Sequence, residues 1–274
     1  MKTSANLIGF PDCYTYHYQP QVKLSDGRLR GFECLVRLNH PTRGIVSPAE
    51  FLPTLFATKS WQYLWPVLLN QISDKMKSYP EMCVAVNVSP SELLNTSTAF
   101  MKHYFLMVLD NRLDPSRIEV EITEDFRICP TQYKSINSSI GMLNVVGTKV
   151  IVDDFGSGFT SLDVLDSLDV DGVKIDRSII SDLEGSKTNR NIVKSLVNIG
   201  IEKNFFIVAE GIETKSQWNI SLDLGCQYGQ GFYIGRPSPC PTDFYDLKGP
   251  TRRDSLTIST PYAKGAFANG TSWL

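Results

Sequence analysis

The chain has 274 residues, 42% of them hydrophobic, and its 27 basic residues against 29 acidic ones leave a net charge of −2. That balance gives no electrostatic basis for binding duplex nucleic acid, so an anionic substrate would have to be met by local cations. No apolar run approaches the ~20 residues that span a bilayer, and MKTSANLIGF is too short in apolar residues for a secretory signal, so the sequence reads as cytoplasmic and not inserted in a membrane.

The cysteines (Cys13, Cys34, Cys83, Cys129, Cys226, Cys240) include no C-x-x-C pair. They suggest neither a zinc knuckle nor a disulfide framework, but reduced thiols filling small core gaps.

In chain order, Tyr16–Leu24 alternates loosely, Asp26-Gly27 signals a hairpin turn, and Arg28–Leu38 completes an antiparallel opening pair. Glu33 lies inside that second strand, where a carboxylate is costly to bury without a partner. Ser47-Pro48-Ala49-Glu50 has the spacing of a capping box, and helical patterning runs through Trp61–Met76. Met82–Val88 predicts a buried strand with Asn87 near its end. Ser89-Pro90-Ser91-Glu92 then repeats the capping-box spacing. Phe100–Asn111 is predicted helical, and Ile118–Ile122 is a strand whose Glu119 and Glu121 share one face.

A helix over Ser135–Val146 leads into Lys149–Leu162, KVIVDDFGSGFTSL. Its β-branched run suits a buried parallel strand, and Asp153 and Asp154 fall where that strand should end. Adjacent carboxylates repel each other, and bound hard cations would remove that cost. Thr160 could cap a short helix to Leu168. Gly172–Ile175 is a strand holding Lys174, with Asp176 behind it. Thr188–Lys203 is amphipathic, its stripe made of Ile192, Leu196, Ile199 and, less perfectly, Val193. Phe205–Ala209 is a buried strand ending in Glu210-Gly211. Thr214 with Gln217 offers a capping box for a helix to Leu224, and Gly225–Tyr233, containing Gln230, is the last strand. Arg252–Leu274, rich in Ser, Thr, Gly and Ala, reads as a disordered tail.

About eight apolar strands separated by helices predict an α/β fold, a modified TIM (β/α)8 barrel with an irregular antiparallel first strand. The expected organisation is an extension over 1–15, a barrel domain over 16–250 and a tail over 251–274. That leaves no room for a second sensory or catalytic domain. Asn87, Glu121, Asp153, Asp154, Lys174 and Glu210 all fall near the C-terminal ends of strands, which converge on one mouth in such a barrel. With Glu33 they form an oxygen-rich set suited to two Mg²⁺ or Mn²⁺ ions. Asp153 is the natural bridging ligand, and Asp154 completes the second ion. Two reactions remain open from the residues alone: metal-assisted hydrolysis of a phosphoester, or proton abstraction beside a carboxylate with Lys174 as base.

From about Tyr16 to about Pro239 the chain resembles EAL-domain cyclic di-GMP phosphodiesterases. Glu33-Cys34-Leu35-Val36-Arg37 stands where that family has E-A-L-V-R, followed by His40-Pro41, Gly44, Pro48 and Phe51-Leu52-Pro53. Asn87-Val88-Ser89-Pro90, Glu121-Ile122-Thr123-Glu124, Asp153–Leu162, Lys174-Ile175-Asp176, Glu210-Gly211-Ile212-Glu213 and Gln230-Gly231-Phe232 match its later motifs in order. The resemblance implies hydrolysis of cyclic di-GMP to linear 5′-pGpG. By carry-over, Glu33, Asn87, Glu121 and Asp153 would hold one ion and Asp153, Asp154 and Glu210 the second. Lys174 and Glu210 would position or activate water, and Gln230 would support substrate or a metal water. Gln19, Leu35, Arg37, Asp176 and Glu213 would line the dinucleotide. Glu124 would brace the loop Phe155–Ser161, which in the family links the metal site to a dimer interface, so a homodimer is expected. With only about 15 residues ahead of the barrel, regulation is expected from dimerisation, expression level or a regulatory protein partner. Cys34 replaces the family's Ala, Leu38 a common Trp, and Ser157, Phe159 and Thr160 its Thr, Tyr and Ser. None of these removes a presumed ligand. The rival readings are a catalytically silent cyclic di-GMP receptor or protein-binding regulator on the same barrel, and an enolase-like enzyme.

Overall fold

Asp26-Gly27 turns the chain as its composition dictates. Gly27 takes a left-handed φ of +68°, which a side chain would resist, and joins β1 (Tyr14–Lys23) to an antiparallel β2 (Leu29–His40). The computed structural model describes residues 13–58, 60–123, 130–157 and 162–244. Within them β2 is followed around a closed wall by β4 (Cys83–Val88), β5 (Ile118–Ile122), β6 (Lys149–Phe155), β7 (Gly172–Ile175), β8 (Phe206–Ala209) and β9 (Tyr228–Gln230). These seven strands are parallel. β1 closes the ring, antiparallel to both β2 and β9, and the short β3 (Gly44–Val46) is appended to β2. The barrel expected from the sequence, with its antiparallel first strand, is the barrel observed.

The helices are α1 (Pro48–Ala57), α2 (Trp65–Ser78), α3 (Ala99–Leu109), α4 (Tyr133–Val145), α5 (Leu162–Ser167), α6 (Arg177–Ile180), α7 (Lys187–Lys203) and α8 (Lys215–Leu224). They cover the outward faces of the strands. Val84, Val86 and Val88 of β4 and Ile118, Val120 and Ile122 of β5 share one core with Leu68, Ile72, Phe100, Tyr104, Ile136 and Ile140 from α2, α3 and α4. Each such side chain contributes roughly 1.5–3 kcal/mol on burial. The alternate positions therefore face the barrel interior, and that is where Glu33, Asn87, Glu119 and Glu121 lie.

Local details depart from the sequence reading where side chains found other partners. Glu50 of α1 pairs with Arg43 rather than completing a capping box. Ser89 caps a 3-10 turn over Pro90–Leu93, accepting from Ser91 N, while Glu92 reaches forward and accepts from Phe100 N of α3 at 2.8 Å. The Thr214–Gln217 capping box does form, at the start of α8. In α7 the buried stripe is Val193, Leu196, Val197 and Gly200, with Ile192 and Ile199 at its margins. The last strand is three residues, not nine. Gly225 is the left-handed cap of α8, and the chain turns again after Gln230. Cys34 and Cys226 are buried, while Cys13, Cys83 and Cys240 are half-buried, so among the described residues two thiols fill the core as expected. Thr160, Cys129 and the tail after Arg252 lie outside the described residues.

Candidate metal centre

Parallel strands bring their C-terminal ends to one rim, so each rim residue is placed by its register in the sheet. Asn87 pairs with Glu121 across β4 and β5, and Glu33 of β2 sits against Ala85, two positions earlier on β4. The resulting cluster is tight. Carboxylate oxygens of Glu33, Glu121 and Asp153 lie within 4.8 Å of one another, as do those of Asp153, Asp154 and Glu210. The two triads share Asp153. Asp154 turns its backbone into the left-handed region, φ +52°, at the exit from β6, and its N–H donates to Asp153 Oδ1 at 2.9 Å. That unusual conformation for a residue with a side chain is how two successive residues of one strand serve the same mouth.

Lys174 rises from β7 into the middle of this set. Its Nζ lies 2.6 Å from Glu210, 2.9 Å from Asp153, 3.0 Å from Glu121 and 3.5 Å from Glu33, and the residue is 1% exposed. Burial alone would lower its pKa, but the surrounding carboxylates outweigh it and hold the ammonium well above its ordinary value. One ammonium does not balance five carboxylates. Burial pushes Glu121 and Glu210 well above the usual range and Asp154 up to about 8, and Asp153 is raised too, neighbouring acids adding to each rise. Glu33 is the exception. Burial raises it, but Lys174 and hydrogen bonds from Asn87 and Gln230 bring it net below the usual value. Lys174, Asn87 and Gln230 thus favour the ionised form of Glu33.

The residues fit hard divalent cations. The donors are all oxygens, and two divalent cations would bring five carboxylates and one ammonium to neutrality. Asn87 donates Nδ2 to Glu33 Oε1 at 2.8 Å, which leaves its buried Oδ1 without a hydrogen-bond partner. An orphaned buried acceptor beside a carboxylate triad is the donor that a cation would use.

The second group of expected residues surrounds this centre. Gln230 donates to Glu33 and to Gln19 Oε1 at 3.2 Å, and Gln19 in turn donates to Gly235 O. Leu35 and Arg37 follow Glu33 at alternate positions of β2. Leu35 is buried yet belongs to neither apolar core, and Arg37 is half-buried with Nη1 donating to Val36 O. Asp176 caps α6, accepting from Ser178 N at 2.9 Å, and Glu213 is ion-paired with Arg177. Both acids are therefore already engaged. Glu124 and residues 158–161 lie outside the described residues.

Three residues near the centre escaped the sequence reading. His17 lies on the face of β1 that carries Gln19, opposite Leu35, where burial and the Arg37 charge lower its pKa. The period of two from Gln19 would have found it. Gln21 donates to Glu121 Oε1 at 3.4 Å and accepts from Arg30, which pairs with Glu119 and stacks on Phe206 and Tyr228. Arg30 reaches the interior through a bulge, because the register steps from Gln21↔Gly31 to Val22↔Leu29 and leaves it as the extra residue. Glu119 consequently belongs to a polar plug beneath the centre, not to the centre itself.

Residues 13–237 match the family model described as EAL domain. The chain belongs to the EAL-domain family. This EAL domain is 35% identical over 225 residues to an uncharacterized signaling protein of Caulobacter vibrioides, covering 81% of this chain and 27% of that protein. It is 30% identical over 237 residues to a cyclic di-GMP phosphodiesterase of Pseudomonas aeruginosa, covering 85% of this chain and 40% of that protein. The chain thus spans well under half the length of these curated relatives. Among solved structures, the PaMucR phosphodiesterase in complex with c-di-GMP superposes with a TM-score of 0.72 at 30% identity, over 84% of this chain and 94% of that one. An EAL domain protein of Listeria monocytogenes gives 0.77 at 26% identity, over 87% and 95%. The manganese and cyclic di-GMP complex of Klebsiella pneumoniae BlrP1 gives 0.69 at 28% identity, over 82% and 56%.

Proposed function

We propose that this EAL domain is a divalent-metal-dependent phosphodiesterase that hydrolyses cyclic di-GMP to linear 5′-pGpG. The observation that carries the reading is the pair of carboxylate triads sharing Asp153, with Lys174 held among them. Relatives named as cyclic di-GMP phosphodiesterases, and neighbours solved with that dinucleotide, supply the substrate.

In this reading Glu33, Asn87, Glu121 and Asp153 hold one Mg²⁺ or Mn²⁺, and Asp153, Asp154 and Glu210 hold a second. When bound, the ions supply Lewis acidity toward the phosphodiester and make water a better nucleophile at neutral pH. The remaining work falls to the chain. Four carboxylates fix the Lys174 ammonium, which offers its protons to the attacking water or to an anionic phosphate oxygen. Glu210 is the most exposed of those four, at 14% of its side chain, and in this reading it accepts a proton from water. Gln230 keeps Glu33 oriented. Arg37 presents a planar fork to phosphate, with Gln19, Leu35, Asp176 and Glu213 around the dinucleotide.

The same likeness to the family supports a cytoplasmic homodimer, with the loop over Phe155–Ser161 linking site and interface, braced by Glu124. A regulatory protein would be a further partner. Among the described residues no helix is long and apolar enough to cross a membrane. Light scattering at micromolar concentration tests the dimer, and a fully active monomer would refute it.

Turnover of cyclic di-GMP with Mg²⁺, Mn²⁺, Ca²⁺ or chelator tests the main reading. Metal-dependent appearance of 5′-pGpG is expected. Nucleotide binding without product would instead make this barrel a receptor, and protection by a dicarboxylate or sugar acid rather than a dinucleotide would favour the enolase-like alternative.

A further inference from the structure

The interior face of β1 carries Gln19 and, two residues on, Gln21, which the reaction above does not use. Gln21 is buried, and both ends of its amide are engaged. Its Nε2 donates to Glu121 Oε1 at 3.4 Å, while its Oε1 accepts from Arg30 Nη1 at 2.9 Å. The Arg30 guanidinium is itself fixed. It pairs with Glu119 and lies over the rings of Phe206 and Tyr228, 4.8 and 4.1 Å from their centroids. Lys174 Nζ donates to the other oxygen of Glu121, at 3.0 Å. The fully buried Glu121 therefore has a neutral donor on one oxygen and a cationic donor on the other.

The polarity of the Gln21 amide follows from its two neighbours. A guanidinium only donates and a carboxylate only accepts. A turned amide would set its oxygen against Glu121 and its NH2 group against Arg30, losing both bonds. Arg30 thus dictates which end of Gln21 meets Glu121, and Glu119, two residues earlier on β5, anchors Arg30. Carboxylates that hold a metal depend on such hydrogen-bonded partners for their orientation, and loss of one costs about 10- to 100-fold in metal affinity. We propose that Gln21, its amide set by Arg30, is a positioning residue that orients Glu121 as a metal ligand, an inference that rests on the metal-centre part of the phosphodiesterase reading. The chain Glu119–Arg30–Gln21 makes the plug beneath the centre a determinant of its metal affinity.

Gln21→Met keeps the volume and removes both hydrogen bonds. Calorimetric titration of the metal-free chain with Mn²⁺, without substrate, should show one Kd raised about 10- to 100-fold in this variant. In turnover of cyclic di-GMP the Mn²⁺ concentration giving half the maximal rate should rise by a similar factor, and KM for the dinucleotide by much less. Arg30→Lys keeps a cation for Glu119 but loses the planar fork that also reaches Gln21. It should raise the same Kd, and adding it to Gln21→Met should raise that Kd no further, because Arg30 acts through Gln21. An unchanged Kd in folded Gln21→Met would make Gln21 mere filling. Effects that multiply in the double variant would give Arg30 another route, and equal rises in Mn²⁺ requirement and KM would mean a loosened barrel; each of these results overturns the proposal. If circular dichroism shows Gln21→Met unfolded, Arg30→Lys decides: a raised Kd supports the proposal and an unchanged one overturns it. Wild type that binds Mn²⁺ without hydrolysing cyclic di-GMP fails the phosphodiesterase reading alone, and the Kd comparison still decides the role of Gln21. Wild type that binds no Mn²⁺ overturns both.

Discussion

Lys174 Nζ lies 2.9 Å from Asp153 Oδ1, so the buried ammonium touches the one carboxylate common to both triads. The cation that folds into the centre is thus placed where it sees both candidate metal positions. Lys174→Ala should lower kcat by at least about a hundredfold while leaving metal binding measurable, since an interaction made in the transition state is removed and every oxygen donor remains. Loss of metal binding in step with kcat would instead make Lys174 a scaffold for the carboxylates.

The centre's protonation gives a pH signature in the metal-free protein. Burial first, and then the neighbouring Asp153, pushes the Asp154 carboxyl up to about 8 in the folded protein, from an ordinary value of 3.8. The folded state therefore binds more protons than the unfolded state between those values, and stability falls as pH rises through that window. Glu121, Asp153 and Glu210 act in the same direction, and Glu33, whose pKa is lowered, acts against them. Each fully coupled group contributes at most ~1.4 kcal/mol per pH unit. With chelator present the melting temperature should drop from pH 5 to pH 8. Mg²⁺, which binds the deprotonated acids, should raise it more at pH 8 than at pH 5. A Mg²⁺-induced shift independent of pH would contradict this.

Beneath the centre, Arg30 neutralises Glu119, whose side chain is 2% exposed. Arg30→Ala would leave that carboxylate buried and alone, at a cost of about 3–5 kcal/mol. The melting temperature should fall by roughly 10 °C. The same KM for cyclic di-GMP in the surviving folded protein would place Arg30 in the plug and outside the substrate site.

Gly31, beside the bulge that carries Arg30 inward, lets β2 lie close against β4. A Cβ at this position would stand 2.2 Å from the Cys83 carbonyl oxygen of the adjacent strand. Gly31→Ala should therefore destabilise by about 1–3 kcal/mol or more, because two paired strands would have to separate. Denaturant unfolding measures it, and wild-type stability would mean that β2 and β4 can move apart at no cost.

Much of the barrel was legible because parallel strands covered on their outer faces read as apolar runs, as in Val150–Val152 and Ile207–Ala209. The polar residues at the ends of those runs were legible for the same reason. Asp153, Asp154 and Lys174 stand out only against apolar neighbours, and the barrel brings them together. What the sequence did not reveal depends on partners distant in the chain. Glu119 and Glu121 look equivalent on one strand, yet Arg30 takes the first and Lys174 the second. Only the bulge at Arg30 decides that, and no pattern along β2 announces it. Glu50 and Glu92 sit at good capping-box spacing, but Arg43 and Phe100 N compete for them successfully. The last strand appeared long because Gly225–Tyr233 is uninterrupted by charge, whereas glycines at both ends bend it out of the sheet.

The shared role of Asp153 is tested most directly by assaying Asp153→Asn beside wild type on cyclic di-GMP at saturating Mn²⁺, with circular dichroism to show that both are folded. The account predicts 5′-pGpG from wild type and a rate at least about a thousandfold lower from the variant, because one substitution weakens both metal positions. Turnover by Asp153→Asn at the wild-type rate would contradict it.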